Sequence, residues 1–462
     1  MASLDLRLRM TSPGLLALPW RRPLGDWDIT AIPIRDIPVG PSRHLVRFVE
    51  TDGRLWALKE LPHRVAVREY DVLREMENRS LPAVRVTGVI TQEPEGAAIL
   101  VTEFLERSWQ YRRLLMRIPA SKAAHRGRLF DAMAALLVDL HRNGIYWGDC
   151  SLANTLFTRD GQIIQAWLVD AETAEFHPAL SDGQREMDLE IMRENVAGGL
   201  LDVAASRGEP PEVTAQVFDE VASIIERYSE LWVLLHDQPV LGLDDQHQID
   251  SRLRHLNDLG FAVDEVRLEQ AGEREPDDTV RMKVAVAGRR FHAAQLLALT
   301  GLDVGEGQAT VLLNDLRDYR GHLQATSGME VPEQLAARHW VMDRFTPGVD
   351  LAHEAVGRRG DPIQAYCDLL EVRWLLSEEA GHDIGDEPAL DVIAHRVTPG
   401  DSAANLSFVD LPTEEVPAIT PELLARIQAD DDSDGLDELD GLDGAGGSPT
   451  IDLRNRDDHG DG

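Results

Sequence analysis

Two polar residues lie five positions apart inside an otherwise apolar stretch, "WGDCSLANTLF" at residues 147–157. Burying the carboxylate of Asp149 costs free energy unless a partner compensates its charge. The pattern predicts that Asp149 and Asn154 face a ligand, although Asp and Asn also cap loops with their own side chains. Cys150, between them, is interpreted as a small packing residue, because a buried thiol usually behaves as a hydrophobe.

Other residues with useful chemistry follow in a definite order along the chain. The pattern predicts that Lys59 ends a strand, that Glu69 lies on the next helix, and that Asp170 ends a strand beyond Asp149. Phosphoryl transfer from ATP needs a Lys for the phosphates, a carboxylate to hold that Lys, oxygen ligands for Mg²⁺, and a carboxylate near the acceptor hydroxyl. The sequence offers these residue types in a suitable order.

Each of these residues also has a purely structural interpretation. Lys59 fits a surface Lys, but only 3 of the 46 basic residues are Lys. A position that keeps Lys is therefore a candidate for needing a compact ammonium rather than a guanidinium. Asp170 also fits a helix N-cap. For Glu69, three other Glu residues between positions 60 and 77 are alternatives.

Hydrophobic periodicity predicts the elements that position these residues. The dipeptide Asp52-Gly53, between two strand-like runs, is a strong hairpin signal. The remaining pattern predicts, in order, a helix at 63–79, strands at 86–90 and 97–105, a helix at 127–142, helices over 184–238, a smaller α+β unit at 249–325 and a mostly helical segment to about 397.

Three stretches resemble the protein-kinase-like superfamily, most of all its bacterial branch with aminoglycoside phosphotransferases and lipopolysaccharide-core kinases. "LHRNGIYWGDCSLANTLF" resembles the catalytic loop, "LWALKE" the strand with the ATP-anchoring Lys, and "LVDAE" the magnesium-binding segment. With "LNDLRDYR" and "RWLLSEEAGHDIG" added, the chain looks like an uncharacterised family of bacterial lipopolysaccharide-kinase-like proteins with a C-terminal domain of unknown function. The resemblance spans roughly residues 35–395.

The resemblance implies a role for each matching position. Asp149 would be the catalytic base or orienting carboxylate. Asn154 and Asp170 would hold Mg²⁺ through oxygen, as a hard cation requires. Lys59 would contact the nucleotide phosphates, with Glu69 as its ion-pair partner. ATP and Mg²⁺ are thus the expected cofactors.

The remaining nucleotide contacts are expected from a hinge and a phosphate loop. The resemblance implies that the backbone around Glu103 and Phe104 meets adenine. In protein kinases the phosphate loop reads G-x-G-x-x-G, whereas "DIPVGPSRHLV" offers only Gly40, which lies between two prolines. Ser42, Arg43 and the following His are hypothesised to supply side-chain contacts instead.

Three features concern the acceptor. Only about a dozen residues separate Asp170 from the next helical pattern, and Ala-Pro-Glu, part of the platform for peptide substrates, is absent. A small-molecule or glycan-like hydroxyl is therefore expected. Trp147, where relatives usually have His or a small polar residue, either packs structurally or shapes the acceptor pocket. Glu172 is interpreted as a solvated acid in preference to a second metal ligand.

The chain is strongly acidic, with a formal net charge of −35 over 462 residues. Such a surface repels nucleic-acid phosphates and anionic lipid, which argues against both as main partners. The 2 Cys residues give no disulfide framework and no metal-ligand spacing. The apolar run near the N-terminus is too short for a signal peptide or a membrane span. We therefore expect a cytoplasmic location.

These observations predict an α+β protein in four parts: an irregular lead-in (1–29), a two-lobed protein-kinase-like domain (30–240), an α+β accessory domain (241–398) and a disordered acidic tail (399–462). The expected function is ATP- and Mg²⁺-dependent phosphorylation of a hydroxyl on a small molecule, a carbohydrate or a lipid-glycan. The alternative is a pseudokinase-type regulatory or scaffold protein. Under either function, the C-terminal domain is a candidate for binding a protein partner or a second copy.

Overall fold

The structure of the chain is a computed structural model, which describes residues 4–9, 12–37, 43–92, 97–117, 123–209, 213–242, 246–270 and 279–395. Its contacts divide these residues into two units, one within Met1–Leu234 and Val349–Asp368, the other within Leu235–Gly348 and Leu369–Arg396. The predicted acidic tail at 399–462 and the loop residues Gly40 and Ser42 lie outside the described residues.

Strands and helices follow one another largely as the hydrophobic pattern predicts, and the α+β class is confirmed. The strands are β1 (Leu4–Leu8), β2 (Ile34–Arg35), β3 (Val46–Thr51), β4 (Arg54–Pro62), β5 (Val86–Gln92), β6 (Ala97–Glu103), β7 (Trp109–Gln110), β8 (Ile145–Tyr146), β9 (Thr155–Asp160), β10 (Ile163–Leu168), β11 (Glu175–Phe176), β12 (Val240–Gly242), β13 (Phe261–Gln270) and β14 (Thr279–Arg289). The helices are α1 (Pro13–Leu16), α2 (His63–Asn78), α3 (Tyr111–Arg117), α4 (Ala123–Arg142), α5 (Asp182–Arg207), α6 (Val213–His236), α7 (Gln246–Asp258), α8 (Phe291–Thr300), α9 (Glu306–Ser327), α10 (Glu333–Trp340), α11 (Thr346–Ala355), α12 (Pro362–Ala380) and α13 (Asp386–His395). Across the described ranges, none of these helices is both long and apolar enough to cross a membrane.

The first unit begins with an antiparallel sheet of six strands in the order β1-β5-β6-β4-β3-β2. Asp52 and Gly53 join β3 to β4, and both have positive φ (53° and 73°), the conformation that Asp-Gly favours in a two-residue hairpin. Lys59 on β4 pairs with Val46 of β3 on one side and Leu100 of β6 on the other. Its backbone is therefore fixed by two neighbouring strands.

Helix α2 follows β4 directly and buries one face. The buried positions Ala66, Glu69, Tyr70, Leu73 and Met76 recur at the spacing of a helical stripe. Within α2, Glu69 is the one charged residue on this face. A carboxylate at such a position costs free energy unless it has a partner, which indicates a role beyond packing.

Within the predicted lead-in at 1–29, the described residues include a strand and contribute to the core. Strand β1 pairs in antiparallel register with β5. Four large apolar side chains of the lead-in, each at most 3% exposed, join the core of the sheet: Leu15, Trp20, Leu24 and Trp27. These residues lie in short helical turns and irregular segments between prolines, so their spacing in the sequence follows neither a helical nor a strand period.

The rest of the first unit is mainly helical and carries the loop with Asp149. Helix α4 is followed by Gly144 at φ +74°, where a Cβ would lie only 2.1 Å from the carbonyl oxygen of His177. Only glycine fits at this turn.

The Asp149 loop lies between β8 and β9, and β10 ends at Leu168, two residues before Asp170. A capping box of Ser181 and Gln184 starts α5. Asp149 and Asp170 thus both lie in loops, not within regular elements.

The second unit has an α+β composition, as predicted for the accessory domain. Its antiparallel sheet has the order β12-β14-β13. Phe261, Met282, Leu296, Leu312 and Trp340 are among its most buried side chains. Helix α8 was not predicted, because its apolar residues surround the helix and leave no amphipathic period.

One segment departs from the predicted domain limits. Val349–Asp368, assigned from the sequence to the accessory domain, belongs by its contacts to the first unit. The side chain of Gln364 exchanges hydrogen bonds of 2.8 and 3.0 Å with the backbone of Gly161, and Asp368 pairs with Arg159 at 2.9 Å. The four-part division stays a proposal.

We predict that the lead-in stabilises the sheet. Leu24 is fully buried, so Leu24→Ala should lower the free energy of unfolding, measured in urea, by about 2–5 kcal/mol. Ile29 in the same segment is 66% exposed, and Ile29→Ala should change that free energy by less than about 0.5 kcal/mol. Equal losses from the two variants would contradict the packing described.

Candidate active site

A largely buried ammonium group and three carboxylates form the centre of the site. Nζ of Lys59 lies 2.7 Å from Oδ2 of Asp170, 3.2 Å from Oε2 of Glu69 and 3.7 Å from Oε2 of Glu172. The structure therefore brings together residues of β4, α2 and the segment after β10. The three alternative Glu residues bind elsewhere: Glu60 accepts the Leu24 N–H, Glu75 pairs with Arg79, and Glu77 pairs with Arg9.

Burial and charge set the protonation of this cluster. Burial, and after it the charge of Asp170, raise the pKa of Glu69 to about 7, against the opposing effect of Lys59. Burial alone would lower the pKa of Lys59, but the charges and hydrogen bonds of Glu69 and Asp170 outweigh it and raise that pKa. Lys59 therefore remains an ammonium, and Glu69 takes up a proton near neutral pH.

The carboxylate of Asp149 is held at both of its oxygens. Nδ2 of Asn154 donates to Oδ2 at 2.9 Å and to the Asp149 carbonyl at 3.0 Å, and Nδ2 of Asn195 on α5 donates to Oδ1 at 3.0 Å. Burial raises the pKa of Asp149 and the charge of Asp170 adds to this, whereas both amides and the charge of Arg43 oppose it. Because Asn154 uses its amide nitrogen on Asp149, its side-chain oxygen is the atom left to bind a cation.

Asp188, a residue that the sequence analysis missed, anchors the Asp149 loop. Its buried carboxylate accepts the backbone N–H groups of Trp147 (2.7 Å) and Gly148 (2.8 Å) and bonds the Nε2 ring atom of His141 (3.0 Å). The sequence carries little signal for it, because "GQREMDLEIMREN" holds four acidic residues, of which only Asp188 is buried. An acid at that helical position, like Glu69, needs a buried partner.

The same face of α5 holds the loop at two further points. Asn195 binds the Asp149 carboxylate, and Gly199 makes room for Leu152, since a Cβ there would lie 2.5 Å from the Cδ1 atom of Leu152. Asp188, Asn195 and Gly199 are spaced by seven and four residues, which places them on one side of the helix. A single rigid element therefore fixes the backbone, the carboxylate and the packing of the loop.

Trp147 connects the Asp149 loop to the segment that carries Asp170. Its indole N–H donates to the Asp170 carbonyl at 3.2 Å, and Oγ1 of Thr173 donates to the Trp147 carbonyl at 2.8 Å. The side chain is completely buried, which favours the packing interpretation of Trp147 over a role in the acceptor pocket. Cys150 is also buried, and burial raises its pKa well above the usual value. The thiol therefore stays protonated and unreactive, which agrees with a packing role.

The interpretation of Glu172 as a solvated acid is wrong. Its carboxylate is 29% exposed and lies 3.2 Å from Nε2 of His44. Arg43, beside it in the chain, is close enough for its charge to act on the pKa of Asp149. The described end of the predicted phosphate loop thus lies near both Glu172 and Asp149.

The predicted hinge is already partly bonded within the protein. The N–H of Glu103 donates to the Arg85 carbonyl at 2.8 Å, and the N–H of Phe104 donates to the Leu55 carbonyl at 3.1 Å. Adenine would therefore have to use other backbone groups of this segment. The assignment of Glu103 and Phe104 to adenine stays a prediction.

The donor set around Asp170 fits a hard cation that is shared with a ligand. Asn154 and Asp170 offer an amide and a carboxylate oxygen, which suit Mg²⁺. In the described parts of the chain, no group of three or more His, Cys, Asp or Glu side chains is arranged to hold a metal ion. Mg²⁺ commonly binds through one or two protein carboxylates together with substrate phosphates, so these residues suit a metal–nucleotide complex.

Two family models match successive parts of the chain. Residues 52–209 match the lipopolysaccharide kinase (Kdo/WaaP) family, and residues 230–397 match a domain of unknown function, DUF4032. A solved structure described as "WaaP in complex with acyl carrier protein" is similar at 16% identity and a TM-score of 0.30, over 50% of this chain and 99% of that chain. That similarity is too weak to carry an argument. No curated protein matches the chain.

The antiparallel sheet, the helix that pairs an acid with Lys59, and the loops of Asp149 and Asp170 agree with the protein-kinase-like fold that the sequence predicts. The chain combines a lipopolysaccharide kinase (Kdo/WaaP) family domain with a C-terminal DUF4032 domain. The family match supports a kinase-type phosphotransferase.

Two adjacent glycines of α5 test how the loop is held. Gly199→Ala should lower the free energy of unfolding by about 1–3 kcal/mol, because the new Cβ displaces Leu152. Gly198→Ala meets nothing within 4 Å, so its better helix propensity should leave stability unchanged or raise it by up to about 1 kcal/mol. Chemical denaturation of both variants decides the point, and a harmless Gly199→Ala would contradict the contact.

The protonation of Glu69 predicts a pH dependence of stability without nucleotide. Its folded pKa of about 7 exceeds the ordinary value of 4.5, so its contribution is complete below pH 4.5 and is lost as pH rises through 7. Relative to Glu69→Gln, the wild type should lose on the order of 3 kcal/mol at most over this interval. Urea unfolding at a series of pH values measures the difference, and a constant difference would refute the assignment.

Proposed function

We propose that the chain transfers the γ-phosphoryl group of ATP, with Mg²⁺, to a hydroxyl of a small molecule, a carbohydrate or a lipid-glycan. The observation that carries the proposal is the convergence on one site of Lys59 and Asp170, 2.7 Å apart, with Asp149 and Asn154 beside them. These residues come from separate elements and supply the side-chain types that phosphoryl transfer needs, which supports the proposal. The match of residues 52–209 to a kinase family supports the same reaction.

Lys59 and Glu69 would prepare the phosphate site. The ammonium supplies a fixed positive charge for the nucleotide phosphates, and Glu69 keeps it from turning toward solvent. Asn154 and Asp170 would hold Mg²⁺, which when bound neutralises charge on the phosphates. With the site closed to water, such fixed charges contribute most of the rate of this kind of reaction.

Asp149 would act on the acceptor. As the acceptor oxygen attacks the γ-phosphorus, the bond to the bridging oxygen of ADP breaks, and the hydroxyl proton passes to the Asp149 carboxylate. The bond from Asn154 directs that carboxylate, and its raised pKa makes it a better base than a free Asp side chain.

The proposed acceptor class rests on the short length of the segment after Asp170 and on the match to a kinase family. Residues 171–181 alone separate Asp170 from α5, which is too short a segment to form the platform on which a peptide would lie. The family is described as lipopolysaccharide kinases, so hydroxyl compounds built on carbohydrate are the first acceptors to test.

Asp149→Asn separates transfer from binding. It keeps the shape of the side chain and removes the base, so phosphoryl transfer should fall by about 100-fold or more, whereas MgATP binding by calorimetry should persist. Transfer from [γ-³²P]ATP is measured with sugars, sugar acids, nucleosides and water as acceptors. The control is Asp219→Asn, exposed on α6, which should match the wild type.

Two results would overturn the phosphotransferase proposal. If Asp149→Asn transfers phosphate as fast as the wild type, Asp149 is not the acceptor carboxylate. If the wild type binds MgATP but transfers phosphate to none of these acceptors, the regulatory binding protein becomes the better account.

A further inference from the structure

Asn195 makes a contact with Asp149 that no role assigned so far explains. Its Nδ2 atom donates to Oδ1 of Asp149 at 3.0 Å, across 46 positions of sequence. Asn154, from the loop itself, donates to the other oxygen at 2.9 Å. The half-buried carboxylate is therefore fixed by two amides from two separate elements.

The position of Asn195 is itself fixed by packing. Met192 and Val196, its neighbours along α5, are completely buried. The same helix face carries Asp188, which holds the loop backbone, and Gly199, which contacts Leu152. Asn195 thus projects from the element that already holds the loop, and its amide reaches the carboxylate of Asp149.

A second donor changes what the carboxylate can do. The last torsion of an Asp side chain is broad, so one hydrogen bond leaves the plane of the carboxylate free to turn. Donors on both oxygens fix that plane. An ionised carboxylate has about four lone-pair sites, so two remain for the acceptor hydroxyl, in a direction set by the protein.

The chemical type of residue 195 matters as well. An amide donates without carrying charge, so it orients the carboxylate and leaves its negative charge available for the acceptor proton. A Lys or Arg at this position would neutralise that charge. An Asp would place a second carboxylate against the first, at the distance where like charges repel strongly.

We infer that Asn195 is a positioning residue that sets the orientation of the Asp149 carboxylate toward the acceptor hydroxyl. This inference rests on the proposed function. It predicts that Asn195 affects the rate of transfer and leaves nucleotide binding alone, because its contact is to the acceptor carboxylate and not to Lys59 or Asp170.

Turnover of MgATP with water as the acceptor tests the inference on the full chain. Asn195→Ala should lower kcat by about 10- to 100-fold, with the KM for MgATP changed by less than about two-fold because nucleotide contacts are kept. Asn195→Asp keeps the shape and removes the donor, so it should be slower still. Glu194→Ala, exposed and one residue away, should behave as wild type.

Three outcomes would overturn the inference. An unchanged kcat in Asn195→Ala means that the contact does not act on the reaction. A loss of MgATP binding in parallel with kcat means that Asn195 supports the fold as a whole. Full activity in Asn195→Asp means that only the shape of the side chain matters.

A double-mutant cycle on the free protein covers the case of no measurable turnover. If the two side chains interact, Asn195→Ala should change Tm no more than Glu194→Ala does once Asp149→Ala is present. Additive changes in Tm would show that the pair is not coupled and would overturn the inference. Failure of the proposed function is distinguishable, because it appears in the wild type itself, as an absence of MgATP binding or of transfer to every acceptor tested, whereas failure of the inference appears only when the variants are compared.

Discussion

The ion pairs of Lys59 are the interaction on which the rest of the site depends. Glu69 and Asp170 approach the same point from α2 and from the segment after β10, and Lys59 compensates their negative charge there. Removing Lys59 would leave these acids without their cation and force Glu69 to stay protonated, a change that is more costly than losing a surface pair. The position of Lys59 on a central strand therefore determines where the helix and the segment with Asp170 can lie.

Helix α5 supplies the second constraint. The Asp149 loop has no regular backbone pairing, so its N–H groups and side chains need partners from outside the loop. Asp188 bonds the backbone at Trp147 and Gly148, and the same helix face packs against Leu152. Trp147 then joins the loop to the Asp170 carbonyl. The residues proposed to bind phosphate thus centre on Lys59, those proposed to act on the acceptor are held by α5, and the indole N–H of Trp147 links the two groups.

The sequence predicts those parts of the molecule that depend on local pattern. The Asp52-Gly53 hairpin, the amphipathic α2 and the order of Lys59, Glu69 and Asp170 all carry short-range signals. Strand β1 and the lead-in tryptophans carry none, because they become core only through long-range contacts.

Asp188 and Asn195 were missed for a related reason. Their function lies in partners some 40 residues away, and a polar residue on a helix usually indicates a solvated face. Only the burial of Asp188 among apolar residues distinguishes it. In the opposite direction, Glu172 looked solvated because its partners Lys59 and His44 come from a different part of the chain.

The most direct test of the account is thermal stability with and without MgATP, in the wild type and in Asp170→Ala. A ligand present at 100 times its dissociation constant stabilises the native state by about 2.7 kcal/mol. The account predicts an increase in Tm that requires Mg²⁺ in the wild type and is lost in Asp170→Ala. An equal increase in both proteins, or none in the wild type at saturating nucleotide, would contradict the placement of the nucleotide beside Lys59 and Asp170.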